Sequence, residues 1–417
     1  MAALPRHPGA GGGRARRRFA RGPDGHQPGM VLLTGATGFV GGQILGRLLE
    51  TTERSVFALV RAPDAAAART RIDGVLGALY GERPPAADRV VAVPGDVTRP
   101  GLGLSAADHA RIVGEARAVV HGAAAVAFDR SEADATTSNV DGTRHVMRLA
   151  EEMAAAGAGL QRVVHVSTAY VAGDHPGVFG EGDLDVGQTT RNSYERSKLD
   201  AERILRADFA HLPVIVVRPS IVVGEQTSGW TSAFNVLYWP LRAFASGLVE
   251  AVPANPEAQV DVVPVDYVAA GVVAALEVPP GAGSPVYHLV AGAGANSVAE
   301  LARMAGEAFA RPAVELVEGG RFEREVAPRI ADEAGAPQRM ALEQSRIYFP
   351  YFDVRTRFDD RRARELLAPL GIVAPVLPDY FERIVDYALH ASWGKRPETR
   401  AQARARAVSA PAARVRA

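Results

Sequence analysis

The glycine-rich segment VLLTGATGFVGG, which begins at residue 31, constrains the fold more than any other stretch of this sequence. The apolar run 31–34 leads into Gly35, Gly38 and Gly41, and a helical pattern follows. Glycines at this spacing permit a tight turn and let the backbone approach a pyrophosphate, while the helix N-terminus offers N–H groups to the anion. The order strand, turn, helix therefore predicts a dinucleotide site. The alternative is a strand–helix packing turn that binds nothing.

Apolar runs alternate with helical patterns over residues 30–300. The apolar runs are 31–34, 55–60, 89–97, 116–124, 161–169, 213–224 and 285–290. Within a run, apolar residues do not alternate with polar ones, which is typical of parallel strands covered on both faces. Helical stretches such as 142–155 and 194–207 supply the crossovers. The predicted fold class is α/β, a Rossmann-type doubly wound parallel sheet with a smaller C-terminal substrate-binding part.

Changes in composition along the chain suggest where its tails and domains begin and end. Residues 1–29 and 397–417 lack periodicity, and we expect both to be disordered tails; the first is rich in Arg, Gly and Pro. Its arginines could bind an acidic partner or a membrane surface, although a solvated tail is the simpler interpretation. The predicted NADP-binding Rossmann domain spans 30–225. Residues 226–396 are expected to form mainly the substrate-binding part, with 260–290 returning to the Rossmann core.

Charge and cysteine content exclude several function classes. Lys and Arg together number 47, as do Asp and Glu, which argues against a dedicated nucleic-acid binder. The absence of cysteine excludes disulfides and a thiolate nucleophile, and it suits a reducing cytoplasm. No apolar run reaches the roughly 20 residues of a membrane-spanning helix. No cluster of His, Asp or Glu has metal-ligand spacing, so we expect no metal. The absence of cysteine leads us to expect a cytoplasmic location.

The end of the second apolar run indicates which dinucleotide binds. An acidic residue about 20 positions beyond the glycines would bind the ribose 2′-hydroxyl of NAD. Here Arg61 stands twenty residues after Gly41, and the first acid that follows is Asp64. A guanidinium suits a 2′-phosphate, so the sequence favours NADP. The alternative for Arg61 is a solvated cation at a strand end.

The segment NSYERSK supplies candidate catalytic groups. Tyr194 and Lys198 are four residues apart on a predicted helix and therefore share a face. A nearby lysine and the positive ring of the cofactor should favour the phenolate and lower the tyrosine pKa, giving a proton donor and acceptor at useful pH. The fifth apolar run ends in Ser167 and Thr168, at the sheet edge where ligands bind in such folds. The alternative for the Tyr–Lys pair is an ordinary exposed helix pair.

The segments TGATGFVG, VVHGAA, NVDGT, VSTAYVAG, YERSK and VVRPSIVVGE together resemble the extended short-chain dehydrogenase/reductase family over most of 30–300. The resemblance implies the catalytic set Thr168, Tyr194 and Lys198, with Thr168 preferred to Ser167. It implies that Asn139 supports structure or a relay water and that His121 is not a catalytic base. The predicted cofactor-binding residues are Thr34, Gly35, Thr37, Gly38, Phe39, Val40, Gly41, Arg61, Asp96, Val97, Ala123, Ala124, Asn139, Tyr194, Lys198, Pro219, Ser220 and Ile221.

A long helical insertion between the second and third runs, followed by GDVT, resembles the thioester reductase and fatty acyl-CoA reductase branch. That resemblance implies NADPH-dependent reduction of an acyl thioester, on CoA or on a separate carrier protein, to aldehyde or alcohol. Because family members are often dimers, a homodimer is possible. The aromatic stretch 224–247 either lines an acyl-chain pocket or is ordinary core. Alternatives are a secondary alcohol or 3β-hydroxysteroid-type dehydrogenase, a sugar-nucleotide epimerase and a non-catalytic nucleotide sensor.

Overall fold

The computed structural model describes residues 29–82, 86–128, 131–156, 159–279 and 284–409. The strands in these ranges are β1 (Met30–Thr34), β2 (Val56–Val60), β3 (Val90–Pro94), β4 (Ala116–His121), β5 (Arg162–Val166), β6 (Gly177–Phe179), β7 (Val214–Pro219), β8 (Ile221–Val223), β9 (Ala251–Pro253), β10 (Gln259–Val260), β11 (Val262–Pro264), β12 (Val286–Leu289), β13 (Asn296–Ser297), β14 (Glu315–Val317) and β15 (Thr356–Phe358).

The α-helices of the same ranges are α1 (Phe39–Thr51), α2 (Ala65–Tyr80), α3 (Ala106–Glu115), α4 (Glu132–Ala135), α5 (Gly142–Ala155), α6 (Ser193–Asp208), α7 (Tyr238–Ala245), α8 (Val265–Leu276), α9 (Val298–Ala308), α10 (Gly319–Arg321), α11 (Ala327–Glu333), α12 (Ala336–Ser345), α13 (Arg361–Leu367), α14 (Phe381–His390) and α15 (Arg400–Ser409). Short 3₁₀ or π-helical segments lie at Ala87–Arg89, Pro100–Gly103, Thr136–Asp141, Ala169–Ala172, Gly292–Gly294, Phe322–Val326, Arg346–Asp353, Ala368–Leu370 and Leu377–Asp379.

The central sheet has seven strands in the order β12-β7-β5-β4-β1-β2-β3, and every pairing in it is parallel. The chain starts at β1, builds outward to β3 and then returns to β4, so the strand order reverses between β1 and β4. Ligands bind in the crevice at such a reversal. The predicted doubly wound parallel sheet is therefore confirmed. The sixth apolar run differs from expectation, because β8 leaves the sheet after Pro219 and pairs with β11.

Both faces of the sheet are covered by helices. In β1, Val31 and Leu33 face the helices α1 and α8, whereas Leu32 faces α3 and α5 on the other side. Successive side chains of a strand point to opposite faces. Two-sided burial therefore explains why the run is apolar throughout.

A second core lies in the C-terminal part of the chain. Helices α7, α9 and α14 pack together there, with Leu241, Leu301 and Ile384 among the buried residues. The described ranges hold four small two-stranded sheets, and strands β8, β9, β10, β11 and β14 contribute residues to this core. The fourth pair, β15–β6, buries Phe179 and Phe358 in a smaller cluster after β5. Helix α8 and strand β12 return to the main sheet.

The expected disorder of 397–417 is wrong over residues 400–409, which form α15. The side chain of Arg400 is buried; it pairs with Glu50, donates to Gln43 Oε1 at 2.9 Å and stacks on Tyr80. Arg404 pairs with the buried Glu225 at 2.7 Å. The helix is held by charge pairing and not by an apolar stripe, so periodicity gave no signal for it.

The remaining parts of the predicted tails, residues 1–28 and 410–417, lie outside the described residues. Within the described ranges, no helix has the length and apolarity needed to cross a membrane.

Candidate active site

The glycine turn joins β1 to α1 at the point where the strand order reverses. Gly35 has φ +80°, and a Cβ on it would lie 2.7 Å from the backbone of Gly122 and Ala123. A Cβ on Gly41 would lie 2.0 Å from the carbonyl oxygen of Gly35. A Cβ on Gly38 would come only within 3.3 Å of the same oxygen. Packing therefore requires glycine at positions 35 and 41. At position 38 the absence of a side chain instead leaves room for a ligand on the open side of the turn.

A cleft of about 430 Å³ lies in front of this turn, at the carboxyl ends of β1, β2 and β4. Helix α1 begins beside it, and its N-cap Gly38 has no side chain to occupy the first N–H groups. These groups and the bare turn suit a pyrophosphate. The predicted residues that line the cleft are Thr34, Gly35, Thr37, Gly38, Arg61, Asp96, Val97, Ala123 and Ala124.

Two guanidinium groups stand at one end of the cleft. Arg61 is largely exposed, and its Nε lies 3.3 Å from Asp96 Oδ2. Arg71, from α2, donates to the carbonyl oxygen of Arg61 and, at 3.4 Å, to Thr37 Oγ1. Sequence reasoning missed Arg71. Its position in the insertion helix, ten residues after Arg61, was the available signal, because that helix packs beside the end of β2.

The structure brings Thr168 and Tyr194 together. Their side chains are hydrogen-bonded, and Thr168 Oγ1 also lies 3.4 Å from the carbonyl oxygen of Pro219. Asn192 caps α6 by accepting from Glu195 N at 2.9 Å, which places Tyr194 in the first turn of that helix. Ser167 is directed elsewhere, donating to Glu202 Oε1 at 2.5 Å. Thr168, and not Ser167, therefore accompanies the tyrosine.

Lys198 lies one helical turn beyond Tyr194 and is buried. Its Nζ donates to the carbonyl oxygen of Val166 at 2.8 Å and contacts His165 Nε2 at 3.2 Å. Burial lowers the His165 pKa well below its ordinary value, so the ring is neutral and Nε2 can accept. Sequence reasoning missed His165, although it lies near the end of β5 and only three residues before Thr168.

Burial dominates the ionisation of the pair. It raises the pKa of Tyr194 to about 12, opposed by the hydrogen bond from Thr168. Desolvation of the phenolate outweighs the opposing hydrogen bond, and the expectation that Lys198 and the cofactor's positive ring lower this pKa stays a prediction. Burial also lowers the pKa of Lys198 to about 8, while the charge of Glu202 acts in the opposite direction. Tyr194 is therefore protonated at neutral pH and Lys198 is charged.

Asn139 lies in the π-helical segment Thr136–Asp141, a kind of distortion frequent at functional sites. Its side chain accepts from Ala125 N at 2.7 Å and donates to Ala125 O at 3.0 Å and Ser197 Oγ at 2.9 Å. The neighbouring Ser138, and not Asn139, lines the cleft. Asn139 thus ties the cleft wall at Ala125 to the helix that carries Tyr194 and Lys198.

The remaining predicted residues lie around the site. Pro219, Ser220 and Ile221 form the bend between β7 and β8, where Pro219 meets Thr168. Phe39 borders an adjoining cavity beside the turn, together with Trp230. Val40 and Gly41 belong to the first turn of α1.

His121 is buried beneath the cleft. Its Nδ1 lies 2.8 Å from Thr34 Oγ1 and its Nε2 3.3 Å from Thr143 Oγ1. Burial lowers its pKa to about 3. With both ring nitrogens engaged, His121 is placed to support the strand end and not to serve as a base.

Comparison with known proteins identifies the family. The family model described as "Male sterility protein" matches residues 33–272. An isonitrile lipopeptide synthase of Streptomyces coeruleorubidus is 38% identical over 218 residues, covering 52% of this chain and 15% of that protein. Fatty acyl-CoA reductase 1 of Mus musculus is 31% identical over 281 residues, covering 59% of this chain and 54% of that protein. The aligned part is thus at most about half the length of these relatives.

Among solved structures, the terminal R domain from the myxalamid PKS-NRPS biosynthetic pathway superposes with a TM-score of 0.72 and 25% identity. The alignment covers 89% of this chain and 93% of that domain. The family match spans the glycine turn, the cleft and the Thr168, Tyr194 and Lys198 cluster. The chain therefore belongs to the male sterility protein family, on the thioester reductase and fatty acyl-CoA reductase branch of the extended short-chain dehydrogenases/reductases.

Proposed function

We propose that this protein is an NADPH-dependent reductase of acyl thioesters, which converts an acyl-CoA or a carrier-bound acyl group to an aldehyde or an alcohol. The observation that carries the proposal is the hydrogen-bonded pair Thr168–Tyr194, with Lys198 one turn away on α6. Asn139 links this helix to the cleft wall at Ala125. Relatives named as fatty acyl-CoA reductase and as a terminal R domain support the thioester as the substrate class.

The residues around the cleft suit a dinucleotide. The turn at Gly35–Gly38 and the N-terminus of α1 would hold the pyrophosphate. Asp96 and Val97 would border the adenine, and Ala123 and Ala124 would form the wall toward the nicotinamide. When bound, the reduced nicotinamide supplies the hydride. Residues 226–396 would contribute mainly to the substrate side.

Arg61 and Arg71 support NADPH over NADH. Both line the same end of the cleft, and Arg71 also reaches Thr37. Two guanidinium groups with adjacent hydroxyls and N–H groups can bind a 2′-phosphate through charge-assisted hydrogen bonds. Asp96 already pairs with Arg61, so it is less available to a 2′-hydroxyl.

Thr168 and Tyr194 would bind the thioester carbonyl oxygen and stabilise the negative charge that develops on it. Tyr194 Oη then transfers its proton to that oxygen, and the charged Lys198 stabilises the phenolate left behind. The resulting hemithioacetal releases the thiol and the aldehyde. Because its pKa is about 12, Tyr194 holds its proton until the oxyanion forms.

The same tyrosine would serve a dehydrogenase acting on a secondary alcohol or a 3β-hydroxysteroid, as the proton acceptor in the reverse direction. The relatives named as fatty acyl-CoA reductase and as a terminal R domain favour thioester reduction over that alternative. An epimerase that uses NAD usually has an acidic residue at the end of the second strand. This chain has Arg61 at that position. A nucleotide sensor would have no need of Thr168, Tyr194 and Lys198.

The proposal is tested by following NADPH absorbance at 340 nm with purified protein and acyl-CoAs of increasing length. Consumption that depends on the acyl-CoA supports it. If no acyl-CoA is consumed, the same assay with an acyl carrier protein thioester decides whether the carrier is required. NADP⁺ reduction by secondary alcohols, without activity on either thioester, would overturn the proposal.

A further inference from the structure

A buried ion pair lies one helical turn beyond Lys198, between α6 and β7. Arg218 of β7 donates to Glu202 of α6 through Nε, at 3.0 Å, and through Nη2, at 2.7 Å. The two side chains are 0% and 1% exposed. Burying such a pair costs desolvation of both charges, and apolar residues of similar volume often serve stability as well or better. Stability alone therefore does not account for two charged groups at this place.

The carboxylate of Glu202 connects two strand ends that flank Thr168. Its Oε1 accepts from Ser167 Oγ at 2.5 Å, and Ser167 directly precedes Thr168 in the chain. Its partner Arg218 directly precedes Pro219, whose carbonyl oxygen lies 3.4 Å from Thr168 Oγ1. One carboxylate therefore holds the ends of β5 and β7 from α6, the helix of the proposed proton donor.

Further hydrogen bonds fix the orientation of the Arg218 guanidinium. Its Nη2 also donates to the carbonyl oxygen of Asp183 at 2.8 Å, and its Nη1 lies 3.2 Å from His288 Nε2. Burial lowers the pKa of His288 to about 3, so the ring is neutral. Because His288 Nδ1 donates to the carbonyl oxygen of Asp359 at 2.7 Å, Nε2 is left as the acceptor for Arg218. The arginine is thus fixed, and it fixes Glu202 in turn.

Glu202 also acts on the charge of Lys198. The ionisable groups around this ammonium are Tyr194 and Glu202 on α6, His165 on β5 and His121 on β4. Both histidines are neutral, because burial lowers their pKa. The charge of Glu202 raises the pKa of Lys198, against the larger effect of burial. Glu202 therefore supplies a negative charge that the direct hydrogen-bond partners of the ammonium do not carry.

We infer that Glu202 is a positioning residue for the reaction, fixed in place by Arg218. Through Ser167 it sets the position of Thr168, and through its charge it keeps Lys198 protonated. The inference rests on the proposed function and extends it, because it assigns control of the catalytic group to a buried pair outside that group. The two effects are separable, since Ser167 transmits the first and the carboxylate charge produces the second.

Two variants separate the effects on kcat. Ser167→Ala cuts the link to Thr168 and leaves the ion pair intact, so kcat should fall roughly tenfold at every pH without a change in the midpoint of its pH profile. Glu202→Gln removes the charge and keeps an oxygen acceptor for Ser167, so the midpoint should move to lower pH by roughly one unit. The control Asp200→Asn removes an acid from a partly exposed position of the same helix and should change neither quantity. Wild-type kcat in Ser167→Ala, or a control-like midpoint in Glu202→Gln, would overturn the inference.

A direct titration of Lys198 separates this inference from the proposed function. Lysine occurs in this chain only as Lys198 and the exposed Lys395, so selective isotope labelling of lysine gives an NMR spectrum with one buried signal and one reference signal. The Lys198 signal should titrate at lower pH in Glu202→Gln than in wild type or Asp200→Asn, by roughly one unit, while Lys395 stays unchanged. Absence of thioester reduction in wild type would refute the proposed function, while this titration would still decide the effect of Glu202.

A double variant keeps the test decisive if Glu202→Gln does not fold, since that change leaves the Arg218 guanidinium buried without a carboxylate. Glu202→Leu combined with Arg218→Met replaces both charges by apolar side chains, a kind of exchange that folded proteins tolerate. Lys198 should still titrate at lower pH than in wild type, by roughly half a unit or more. A wild-type titration of Lys198 in a folded double variant would show that the pair is merely structural and would overturn the inference.

Discussion

Lys198 is a buried cation whose partners are a carbonyl oxygen, at Val166, and a neutral imidazole, at His165. Neither partner neutralises the charge, so burial lowers the lysine pKa to about 8. In the proposed reaction, this charge would stabilise the phenolate of Tyr194 when the proton is transferred.

This environment predicts the pH dependence of the reaction. Lys198 is charged below its pKa of about 8 and neutral above it, so kcat for thioester reduction should be maximal at low pH and fall as pH rises through about 8. Tyr194, with a pKa of about 12, contributes no limb in this range. The measurement is kcat at saturating NADPH and acyl-CoA from pH 6 to 10. A kcat that rises through pH 8 would contradict the assignment.

His165 should shift the midpoint of this pH profile, because it positions the ammonium group of Lys198. His165→Leu removes an acceptor from the ammonium and should move the midpoint of the kcat profile to lower pH. His165→Gln keeps an acceptor and should restore the midpoint. A loss of kcat without any movement of the midpoint in His165→Leu would show that the histidine only packs beneath the strand.

At the scale of elements, different glycines of the turn between β1 and α1 serve packing and cofactor binding. Gly41→Ala places a Cβ 2.0 Å from a backbone oxygen and should lower the melting temperature markedly. Gly38→Ala meets the same oxygen only at 3.3 Å and should melt near wild type, while KM for NADPH rises because the methyl group occupies the open side of the turn. Thermal melts and NADPH kinetics of the two variants check this contrast. Equal effects on both quantities would contradict it.

Arg71 of α2 and Arg61 at the end of β2 should determine the preference for NADPH over NADH. Arg61→Ala and Arg71→Ala should each raise KM for NADPH roughly tenfold or more, because a hydrogen bond between charged groups is worth about 1.5–3 kcal/mol. KM for NADH should change little, since NADH lacks the 2′-phosphate. Steady-state kinetics with both cofactors provides the measurement. Equal losses for NADPH and NADH would remove the case for a phosphate contact.

The sequence predicted elements better than it predicted polar partners. The strands were evident because both faces of the sheet are buried, so that β1 and β2 are largely continuous apolar runs and β7 is interrupted only by Arg218. Ser220 marks the limit of that approach: the apolar pattern continues across it, yet β8 pairs with β11 in another sheet. His165 was missed because its partner Lys198 comes from α6, and no local pattern records such a contact. Arg71 was missed although its position ten residues after Arg61, in the insertion helix, offered a signal.

At the scale of the whole molecule, the C-terminal helix α15 closes back onto the N-terminal half of the chain. Arg400 reaches Gln43 and Glu50 of α1, and Arg404 reaches Glu225 at the end of the Rossmann core. The composition of 397–417 predicted disorder, because arginine-rich sequence without apolar periodicity usually remains solvated. Here the arginines are complementary to acids more than 170 residues away, which only the fold brings into reach.

The docking of α15 should therefore support global stability. Arg400→Ala leaves Gln43 and Glu50 without this partner and should destabilise the protein by roughly 3 kcal/mol. Arg396→Ala, the same change at an exposed position nearby, should have little effect. Urea unfolding of the two variants gives the comparison. Equal midpoints would show that α15 contributes nothing to the fold.

The most direct test of thioester reduction by the Thr168–Tyr194–Lys198 group measures NADPH consumption and free thiol release in the same reaction. Wild-type protein with dodecanoyl-CoA should release one thiol for each NADPH if the product is the aldehyde, or one thiol for every two NADPH if it is the alcohol. Tyr194→Phe should lose both signals by roughly a thousandfold while binding NADPH nearly as wild type does. NADPH consumption without thiol release, or a Tyr194→Phe variant that keeps most of its activity, would contradict the account.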